Sequence, residues 1–290
     1  MEVSIIIVNY NAKDLVLKCI DSIFLKTVGL HYEVIVIDNC STDGSVDLLS
    51  QNNRIRLIKL DANLGFGLAN NEGFKIAKGK YVFCLNPDTL LLNNAIKILY
   101  DFMENRSEVG ICGGNLYDID MNPTHSYRMM LPSIWWELDW HLNLIYTKLR
   151  WGQNSEFNHT DNPLQVGYIT GADMMVRKDV IDRVGGFSKY FFMYYEDCEL
   201  TWRIRKAGYK VYSIPSAHIQ HLEGKSFKSN EYTKKQQFSI QSLLMYRKLC
   251  YSSMSLFLIK NIFFLKSMLS NNDMIKYKKE IIRTINNIEV

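Results

Sequence analysis

The chain has 290 residues, of which 47% are hydrophobic and 22% are charged, and its formal net charge is +4. These proportions are ordinary for a globular protein and predict a sizeable core. The charge is too small to indicate a nucleic-acid partner.

The six cysteines are scattered and include no C-x-x-C pair, which favours buried thiols in a reducing compartment over disulfides or a zinc site. The segment from Met1 to Val8 has no basic stretch and no cleavage site, so we interpret it as a strand and not as a signal peptide. No uncharged apolar run reaches the roughly 18 residues that span a bilayer. We therefore expect a cytoplasmic protein.

In the first half of the chain, apolar runs of strand length alternate with helical periodicity. The predicted strands are Val3–Val8, Glu33–Ile37, Ile55–Lys59 and Tyr81–Leu85. The predicted helices cover about 15–24, a stretch toward Leu49 that Ser41 or Thr42 caps, Leu68–Ala77, and about Asn94–Glu104. This alternation predicts an α/β fold with a mostly parallel central sheet and right-handed crossovers.

The second half is less regular. A strand over Val109–Asn115 is followed by a Trp-, Met- and His-rich region, Tyr117–Gln165, which we interpret as a long insertion or lid. The later predicted elements are a strand-like segment Gly167–Val176, a helix Lys178–Val184, a helix of about Cys198–Lys206, and a last strand Tyr209–Ile214 ended by Pro215. After about residue 230 we expect a helical tail.

Polar residues follow the predicted strands at the edge where open α/β sheets bind ligands. The carboxylate of Asp38 suits the ribose or base of a nucleotide, and an Asx turn or helix cap is the alternative. Gly65-Phe66-Gly67 resembles the start of a dinucleotide fingerprint, but it lacks the third glycine. On its own it indicates only that the backbone approaches a neighbour closely. Asn70 lies one turn further, near the same edge.

The stretch Tyr81–Thr89 organises the rest of the chain. Its apolar strand stops at Asn86, because Pro87 cannot continue a central strand. We therefore expect Asp88 on a stiff turn at the carboxyl edge of the sheet, where one carboxylate and diphosphate oxygens suit Mg²⁺ or Mn²⁺. An ordinary turn aspartate is the alternative.

Glu196 and Asp197 follow an aromatic run, Tyr190–Tyr195. Aromatic walls suit the face of a sugar and would exclude water from a carboxylate base. The alternative is that both acids only place negative charge at the start of a helix.

Two histidines, His218 and His221, follow the last predicted strand and precede Gly224-Lys225-Ser226. One histidine would complete the coordination of the metal, and Lys225 would hold phosphate oxygens. A hydrogen-bonded surface histidine is the alternative.

The C-terminal tail combines positive charge with apolar residues. Arg247–Lys279 contains seven Lys or Arg against one Asp, around the apolar core Leu256–Leu265. It is too short and too charged to span a bilayer, and it suits a helix lying in the anionic cytoplasmic face of the inner membrane. Packing against the catalytic domain, or against a second subunit in a homo-oligomer, is the alternative.

Five motifs, in order over roughly Val3–Ser226, resemble the family 2 glycosyltransferases, and in particular their rhamnosyltransferase-like branch. The segments that carry the resemblance are Val3–Asn11, Ile37–Ser45, Asn63–Gly73, Leu85–Thr89, and Gly185–Phe187 with Tyr195–Arg203. The resemblance implies a GT-A fold, which is a Rossmann-like nucleotide-diphospho-sugar transferase fold. It also implies inverting transfer from a nucleotide-diphosphate sugar, with deoxythymidine-diphosphate rhamnose as the suggested donor.

The resemblance also assigns roles. Asp38 matches the base- and ribose-binding Asp, Asp88 matches the last Asp of the D-x-D metal motif, and Asp197 matches the general base. His221 matches the late metal-binding His better than His218 does. Asn86 stands at the first D-x-D position, so only one carboxylate is offered to the metal. The Gln-x-x-Arg-Trp pattern of processive synthases is absent, which favours the addition of one sugar or a few.

The expected site follows from these assignments. Catalysis is assigned to Asp197 and Glu196, metal binding of Mg²⁺ or Mn²⁺ to Asp88 and His221, and donor binding to Asn9, Asn11, Asp38, Asn63, Gly65, Asn70, Asn86, Asp88 and Lys225. The acceptor is expected to be a glycan or a polyprenyl-linked glycan. The expected domains are a GT-A domain over 1–230, with a nucleotide-sugar half over 1–115 and an acceptor half over 116–230, and a helical extension over 231–290.

Two other functions stay open at this point. One is a catalytically inactive peripheral-membrane protein that binds sugar or nucleotide, and the presence of both Asp88 and Asp197 counts against it. The other is a different α/β nucleotide-binding enzyme, such as a nucleotidyltransferase or a dehydrogenase. The incomplete glycine pattern counts against the dehydrogenase.

Overall fold

A nine-stranded sheet organises the protein, whose computed structural model describes residues 1–142, 144–222 and 232–269. The strands are β1 (Val3–Asn9), β2 (Tyr32–Asp38), β3 (Arg56–Lys59), β4 (Tyr81–Leu85), β5 (Thr89–Leu91), β6 (Val109–Tyr117), β7 (Tyr127–Arg128), β8 (Leu164–Gln165), β9 (Tyr168–Ile169), β10 (Asp173–Arg177) and β11 (Lys210–His221). The main sheet has the order β3-β2-β1-β4-β10-β6-β11-β5, with β8 added to β11. Strands β7 and β9 form a separate pair.

The helices flank this sheet or follow it. They are α1 (Lys13–Lys26), α2 (Ser45–Ser50), α3 (Phe66–Ile76), α4 (Ala95–Glu104), α5 (Ile134–His141), α6 (Ile145–Trp151), α7 (Lys178–Val184), α8 (Glu196–Lys206), α9 (Tyr232–Cys250) and α10 (Ser253–Leu269). Within the described ranges, no helix is long and apolar enough to cross a membrane.

The predicted α/β fold with a mostly parallel central sheet is confirmed. Strands β1 to β4 pair in parallel, and β11 runs parallel to β6. Three strands depart from this direction: β10 inserts antiparallel between β4 and β6, and β5 and β8 pair antiparallel with β11. The strands are apolar on successive residues because both faces are covered. Ile5 and Ile7 pack toward α1 and α4, and Ile6 and Val8 pack toward α3 and α8.

Three expectations on the elements were wrong. The last strand does not end at Pro215 but continues to His221, because a register shift between Ser213 and His218 places Pro215 where no regular ladder bond is required. His218 and His221 therefore lie within β11. The strand-like segment Gly167–Val176 is two strands, β9 and β10, in different sheets.

The third correction concerns the start of α2. Its N-cap is Gly44, in the left-handed region at φ 80°, and neither Ser41 nor Thr42 caps it. The Ser41 hydroxyl instead contacts Asn9 and Asn11, and the Thr42 amide donates to the Asn11 side chain. These residues therefore join the loop after β1 to the loop after β2.

Arg177, at the end of β10, connects the sheet to the end of α4. Its guanidinium donates to the carbonyls of Val109, Met103 and Arg106 and to the Tyr81 hydroxyl, at 2.6 to 3.0 Å. The Met103 carbonyl is one of the groups at the end of α4 that the helix itself leaves without a partner. Arg177 thus holds one strand, one helix end and one tyrosine together.

We expect Arg177→Leu to lower the free energy of unfolding by about 2–4 kcal/mol, because several half-buried acceptors lose a charged donor at once. The measurement is urea unfolding followed by circular dichroism. Lys178→Ala is the matched control, because the ion pair of Lys178 with Asp182 lies at the surface and is worth less than about 1 kcal/mol. Equal losses in the two variants would show that the Arg177 network does not stabilise the fold.

Candidate active site

The carboxyl ends of the first parallel strands meet at one edge of the sheet. Asn9 at the end of β1 is level with Asp38 at the end of β2, and Ile7 is level with Leu85 in β4. The turn that follows β4 therefore begins beside Asn9. The register brings the polar residues after three separate strands to one place.

The side chain of Asn9 is fully buried and holds this edge together. Its Nδ2 donates to Asp38 Oδ1 at 2.9 Å, to Ser45 Oγ at 2.9 Å and to Ser41 Oγ at 3.1 Å. Asp38 Oδ2 also accepts from the Ser41 amide at 3.0 Å, which is the local turn bond that the alternative interpretation of Asp38 requires. Asp38 is thus buried and fixed in direction, with carboxylate lone pairs still available for a ligand.

Asn39 fixes the next loop, and the sequence analysis did not single it out. It is buried, its Nδ2 donates to Asn63 Oδ1 at 2.9 Å, and its Oδ1 accepts from the Leu64 amide at 2.8 Å. Asn63 Oδ1 accepts in turn from the Gly65 amide. The only sequence signal for this role was its position directly after Asp38. Asn11, at φ 52°, faces the other side of the same loop cluster.

The close approach predicted at Gly65 is to the aromatic segment before α8 and not to a strand. Gly65 has φ 81°, and a Cβ there would lie 2.1 Å from the carbonyl oxygen of Phe192. That oxygen accepts from the Phe66 amide at 3.2 Å. Asn70, one turn into α3, is buried and donates to the Phe66 carbonyl at 3.0 Å. Gly65 therefore connects the nucleotide-side loops to the segment that carries Glu196 and Asp197.

Asn86, Asp88 and His221 form the candidate metal centre. His221 pairs with Thr89 across β11 and β5, which places its ring beside the turn after β4. His221 Nε2 lies 3.3 Å from Asp88 Oδ1 and 3.3 Å from Asn86 Nδ2. Asp88 and His221 are both buried, at 7% and 8% exposure. His218 lies elsewhere on β11, against the ring of Tyr117.

The donor set of this cluster fits a divalent cation. A carboxylate oxygen and an imidazole nitrogen stand within one coordination sphere of each other, and the Asn86 amide would supply its oxygen after a half-turn of its side chain. In the part of the chain that the structure describes, no three His, Cys, Asp or Glu side chains are arranged to hold a metal ion. Among those residues the site is thus Asp88 and His221 with an amide neighbour. Lys225 lies outside the described residues.

Asp197, at the start of α8, is joined to the metal turn through one short segment. Its Oδ2 accepts from the Gly171 amide at 3.1 Å. The carbonyl of the next residue, Ala172, accepts from the backbone amide of Asn86 at 2.9 Å. Two hydrogen bonds and one peptide therefore connect Asp197 to the residues that precede Asp88. Gly171 and Ala172, the break between β9 and β10, were not recognised as site residues from the sequence.

The turn that leads into α8 is unusual in its backbone. Tyr194 and Tyr195 have φ 71° and 64°, in the left-handed region that residues other than glycine rarely adopt. Two such residues in a row are costly and persist only where the surroundings hold them. Tyr195 stacks against Tyr246 of α9, with 5.8 Å between ring centroids. The turn thereby sets the direction in which Glu196 and Asp197 leave it.

Glu196 and Asp197 form an acidic pair in which Glu196 is buried and Asp197 is half-buried. Burial, and then the charge of Asp197, raise the pKa of Glu196 to about 8. Burial also raises the pKa of Asp197, but the amides of Cys198 and Gly171 donate to its carboxylate and oppose that effect. The amide donors therefore favour the negative charge of the pair on Asp197. Burial favours the proton on Glu196, whose Oε2 has no partner among the described residues.

Curated relatives of the chain include rhamnosyltransferases. It is 29% identical over 224 residues to N-acetylglucosaminyl-diphospho-decaprenol L-rhamnosyltransferase from Mycobacterium tuberculosis, covering 70% of this chain and 72% of the relative. It is 25% identical over 251 residues to rhamnosyltransferase WbbL from Escherichia coli, covering 79% and 88% of the two chains.

Solved structures share the fold at low sequence identity. GalNAc-T7, solved with UDP, GalNAc and Mn²⁺, matches with a TM-score of 0.65 and 13% identity over 98% of this chain, which spans about half (54%) of that protein. The mannosyltransferase PcManGT from Pyrobaculum calidifontis, in complex with GDP-Man and Mn²⁺, matches with a TM-score of 0.58 and 16% identity, covering 99% of this chain and 70% of the other.

The models of two protein families match the sequence. The model of glycosyl transferase family 21 matches residues 155–237. The model of glycosyl transferase family 2 matches residues 4–185, which is more than half of the chain and includes the loops after β1, β2 and β4. The chain therefore belongs to glycosyl transferase family 2.

Proposed function

We propose that this family 2 glycosyltransferase moves a single sugar from a nucleotide diphosphate to a hydroxyl of a glycan or lipid-linked glycan. The sugar proposed is L-rhamnose, and the process is cell-surface polysaccharide synthesis. The observation that carries the proposal is the link from Asp197 through Gly171 and Ala172 to Asn86. This link would bring a carboxylate base close to a site suited to a metal-bound diphosphate. The sugar and the lipid-linked acceptor are taken from the names of the rhamnosyltransferase relatives.

The donor would lie along the sheet edge. Asp38, held by Asn9, would accept from the ribose or base, and Asn11, Asn63, Gly65 and Asn70 would shape the surrounding loops. Asn86 and Asp88 would face the diphosphate, as would Lys225. This division keeps 1–115 as the donor half, 116–230 as the acceptor half and 231–290 as an extension.

Asp88 and His221, with the amide of Asn86, would hold Mg²⁺ or Mn²⁺. When bound, the cation neutralises the charge that develops on the leaving diphosphate. The two related structures with Mn²⁺ support this part of the proposal. The protein supplies a buried, oriented donor set for that cation.

Asp197 would act as the general base. Its ionised carboxylate takes the proton of the acceptor hydroxyl while the oxygen attacks the anomeric carbon, and the nucleoside diphosphate leaves from the opposite face. No covalent enzyme intermediate is required, and the configuration at the anomeric carbon is inverted in the product. Protonated Glu196 keeps the second charge out of the pair, so a single negative charge faces the acceptor.

The C-terminal helices would keep the protein on the cytoplasmic face of the membrane, where a polyprenyl-linked acceptor is found. On α10, Met254, Phe257 and Leu258 are 65%, 61% and 44% exposed. Lys266 and the basic residues that follow it lie in the region that the sequence predicts to bind anionic lipid.

The first test is release of nucleoside diphosphate from a panel of nucleotide sugars, with and without a polyprenyl-diphosphate-sugar acceptor. We expect release from one donor, deoxythymidine-diphosphate rhamnose, and only with acceptor and a divalent cation. Donor binding in calorimetry without turnover on any acceptor would instead support the inactive binding protein. Release of sugar 1-phosphate would indicate a nucleotidyltransferase, because transfer of the nucleotidyl group leaves the other phosphate on the sugar.

We expect Asp197→Asn to lower kcat by about 10²–10⁴-fold, the usual contribution of a general base. Glu196→Gln is the matched control, because Gln resembles the protonated Glu196 that is present near neutral pH. It should retain activity within about tenfold at pH 7. Equal losses in both variants, with unchanged thermal stability, would contradict the assignment of the base to Asp197.

The pH profile gives a second test of the same pair. The base must be ionised, so kcat/KM should rise with pH, and burial of Asp197 places the midpoint above the pKa of an ordinary aspartate. Glu196→Gln should keep this acid limb, because Glu196 is already neutral there. If the midpoint of the acid limb were the pKa of an ordinary aspartate, the base would not be buried when it acts.

Metal dependence is tested by changing the number of carboxylates. Asp88→Asn should raise the Mn²⁺ concentration for half-maximal activity by more than about tenfold, because it removes the carboxylate that the described residues offer to the cation. Asn86→Asp should lower that concentration, since it adds a second anionic ligand. An unchanged Mn²⁺ dependence in both variants would place the cation elsewhere.

A further inference from the structure

Helices α5 and α6, residues 134–151 and here called the α5–α6 hairpin, present their apolar side chains to solvent. Six large apolar residues form its outward face: Trp135, Leu138, Leu142, Ile145, Tyr146 and Leu149. Trp135 is 73% exposed and Leu149 is 84% exposed. Surface helices of globular proteins normally bury such residues against the core. In this hairpin the apolar face is turned to solvent instead.

The acidic residues of the hairpin are turned inward. Glu137 and Asp139 are each only 4% exposed, although they alternate with exposed residues on α5. Asp139 accepts from the amides of Tyr146 and Thr147 and from the Thr147 hydroxyl, at 2.5 to 3.0 Å. It thereby caps the start of α6 and fixes the angle between the two helices.

Glu137 joins the hairpin to the C-terminal helices. Its carboxylate lies 3.3 Å from the guanidinium of Arg247 on α9, and the Arg247 side chain is fully buried. Breaking a buried ion pair by removing one partner is strongly destabilising, so this contact is a firm attachment. The outward face is thus presented from a rigid base and not from a loose loop.

The exposed charges of the hairpin are all positive. Lys148 and Arg150, in the last turn of α6, are exposed, and the two acids within 134–151 are both buried. An apolar face with Trp and Tyr and with cations at one end matches the border between acyl chains and anionic headgroups. A protein partner would not require both acids to be withdrawn from the surface.

We propose that the outward face of the α5–α6 hairpin binds the surface of an anionic lipid bilayer. This makes the region that sequence analysis took for a lid a membrane contact, in addition to the contact expected for the tail. The inference shares with the proposed function only the location of the acceptor. It is tested without donor or acceptor, so that the two can fail separately.

The test is co-sedimentation of the full chain with vesicles of phosphatidylcholine and phosphatidylglycerol. We expect the double variant Trp135→Ser/Leu149→Ser to lose at least tenfold in partition coefficient. The matched control is Leu25→Ser/Val28→Ser, which removes two apolar residues that are 74% and 62% exposed in the donor half, and it should bind as the wild type does. Lys148→Glu/Arg150→Glu should weaken binding to anionic vesicles and leave the weak binding to pure phosphatidylcholine unchanged.

Folding is checked by the melting temperature and by tryptophan fluorescence. Four of the five tryptophans, Trp135, Trp136, Trp140 and Trp151, lie in the insertion, so vesicles should shift the wild-type emission to shorter wavelength. Trp135→Phe keeps the face apolar and should bind normally with a smaller shift.

Three results would overturn the proposal. The first is full binding by the folded double variant. The second is loss of binding only in the tail variant Phe257→Ser/Leu258→Ser. The third is no binding by the wild type together with a dimer in sedimentation that Trp135→Ser/Leu149→Ser dissociates, which would make the occupant a second copy.

Discussion

The antiparallel pairing of β10 with β4 is the constraint on which the site depends. Through this pairing the backbone amide of Asn86 donates to the Ala172 carbonyl. One residue away, the backbone amide of Gly171 donates to the Asp197 carboxylate. Residues more than a hundred positions apart in the chain thereby share one short hydrogen-bonded path. A sheet with only parallel strands would bring the strand ends together but would not return the chain to this edge, where the helix with Glu196 and Asp197 begins.

The buried carboxylates of the molecule differ in the groups that stabilise or oppose their charge. Burial raises the pKa of both Glu196 and Asp197, and the amides of Cys198 and Gly171 oppose that rise at Asp197. Glu137 is matched by a buried arginine, and Asp139 by the start of a helix. Asp173, fully buried in the sheet, accepts one amide from Gly114, and its pKa is raised well above the usual range by burial. Desolvation thus raises the pKa of a buried carboxyl, and amide donors or a paired cation oppose that rise.

Local patterns predicted the donor half of the fold, because each buried strand is a continuous apolar run and each crossover has helical periodicity. The family resemblance and the position of Asp88 after Pro87 likewise indicated where the site lies. The direction of β10 could not be read from its residues, since strand direction depends on tertiary pairing. The continuation of β11 past Pro215 was missed for the same reason, although the family resemblance had already paired His221 with Asp88. Asn39 and the Gly171 amide contribute contacts that no motif encodes. The Trp-rich composition of the α5–α6 hairpin marked it as unusual, but only its burial pattern shows that the apolar face points outward.

The central claim is that a divalent cation bound with the nucleotide lies between Asp88 and His221, on the same short path as the base Asp197. Anomalous diffraction from crystals of the protein with Mn²⁺ and deoxythymidine diphosphate tests it most directly. The account predicts a single manganese peak within coordination distance of Asp88 and the His221 ring nitrogen, bridged to the diphosphate. Bound nucleotide with the manganese peak elsewhere, or with no peak, would contradict it.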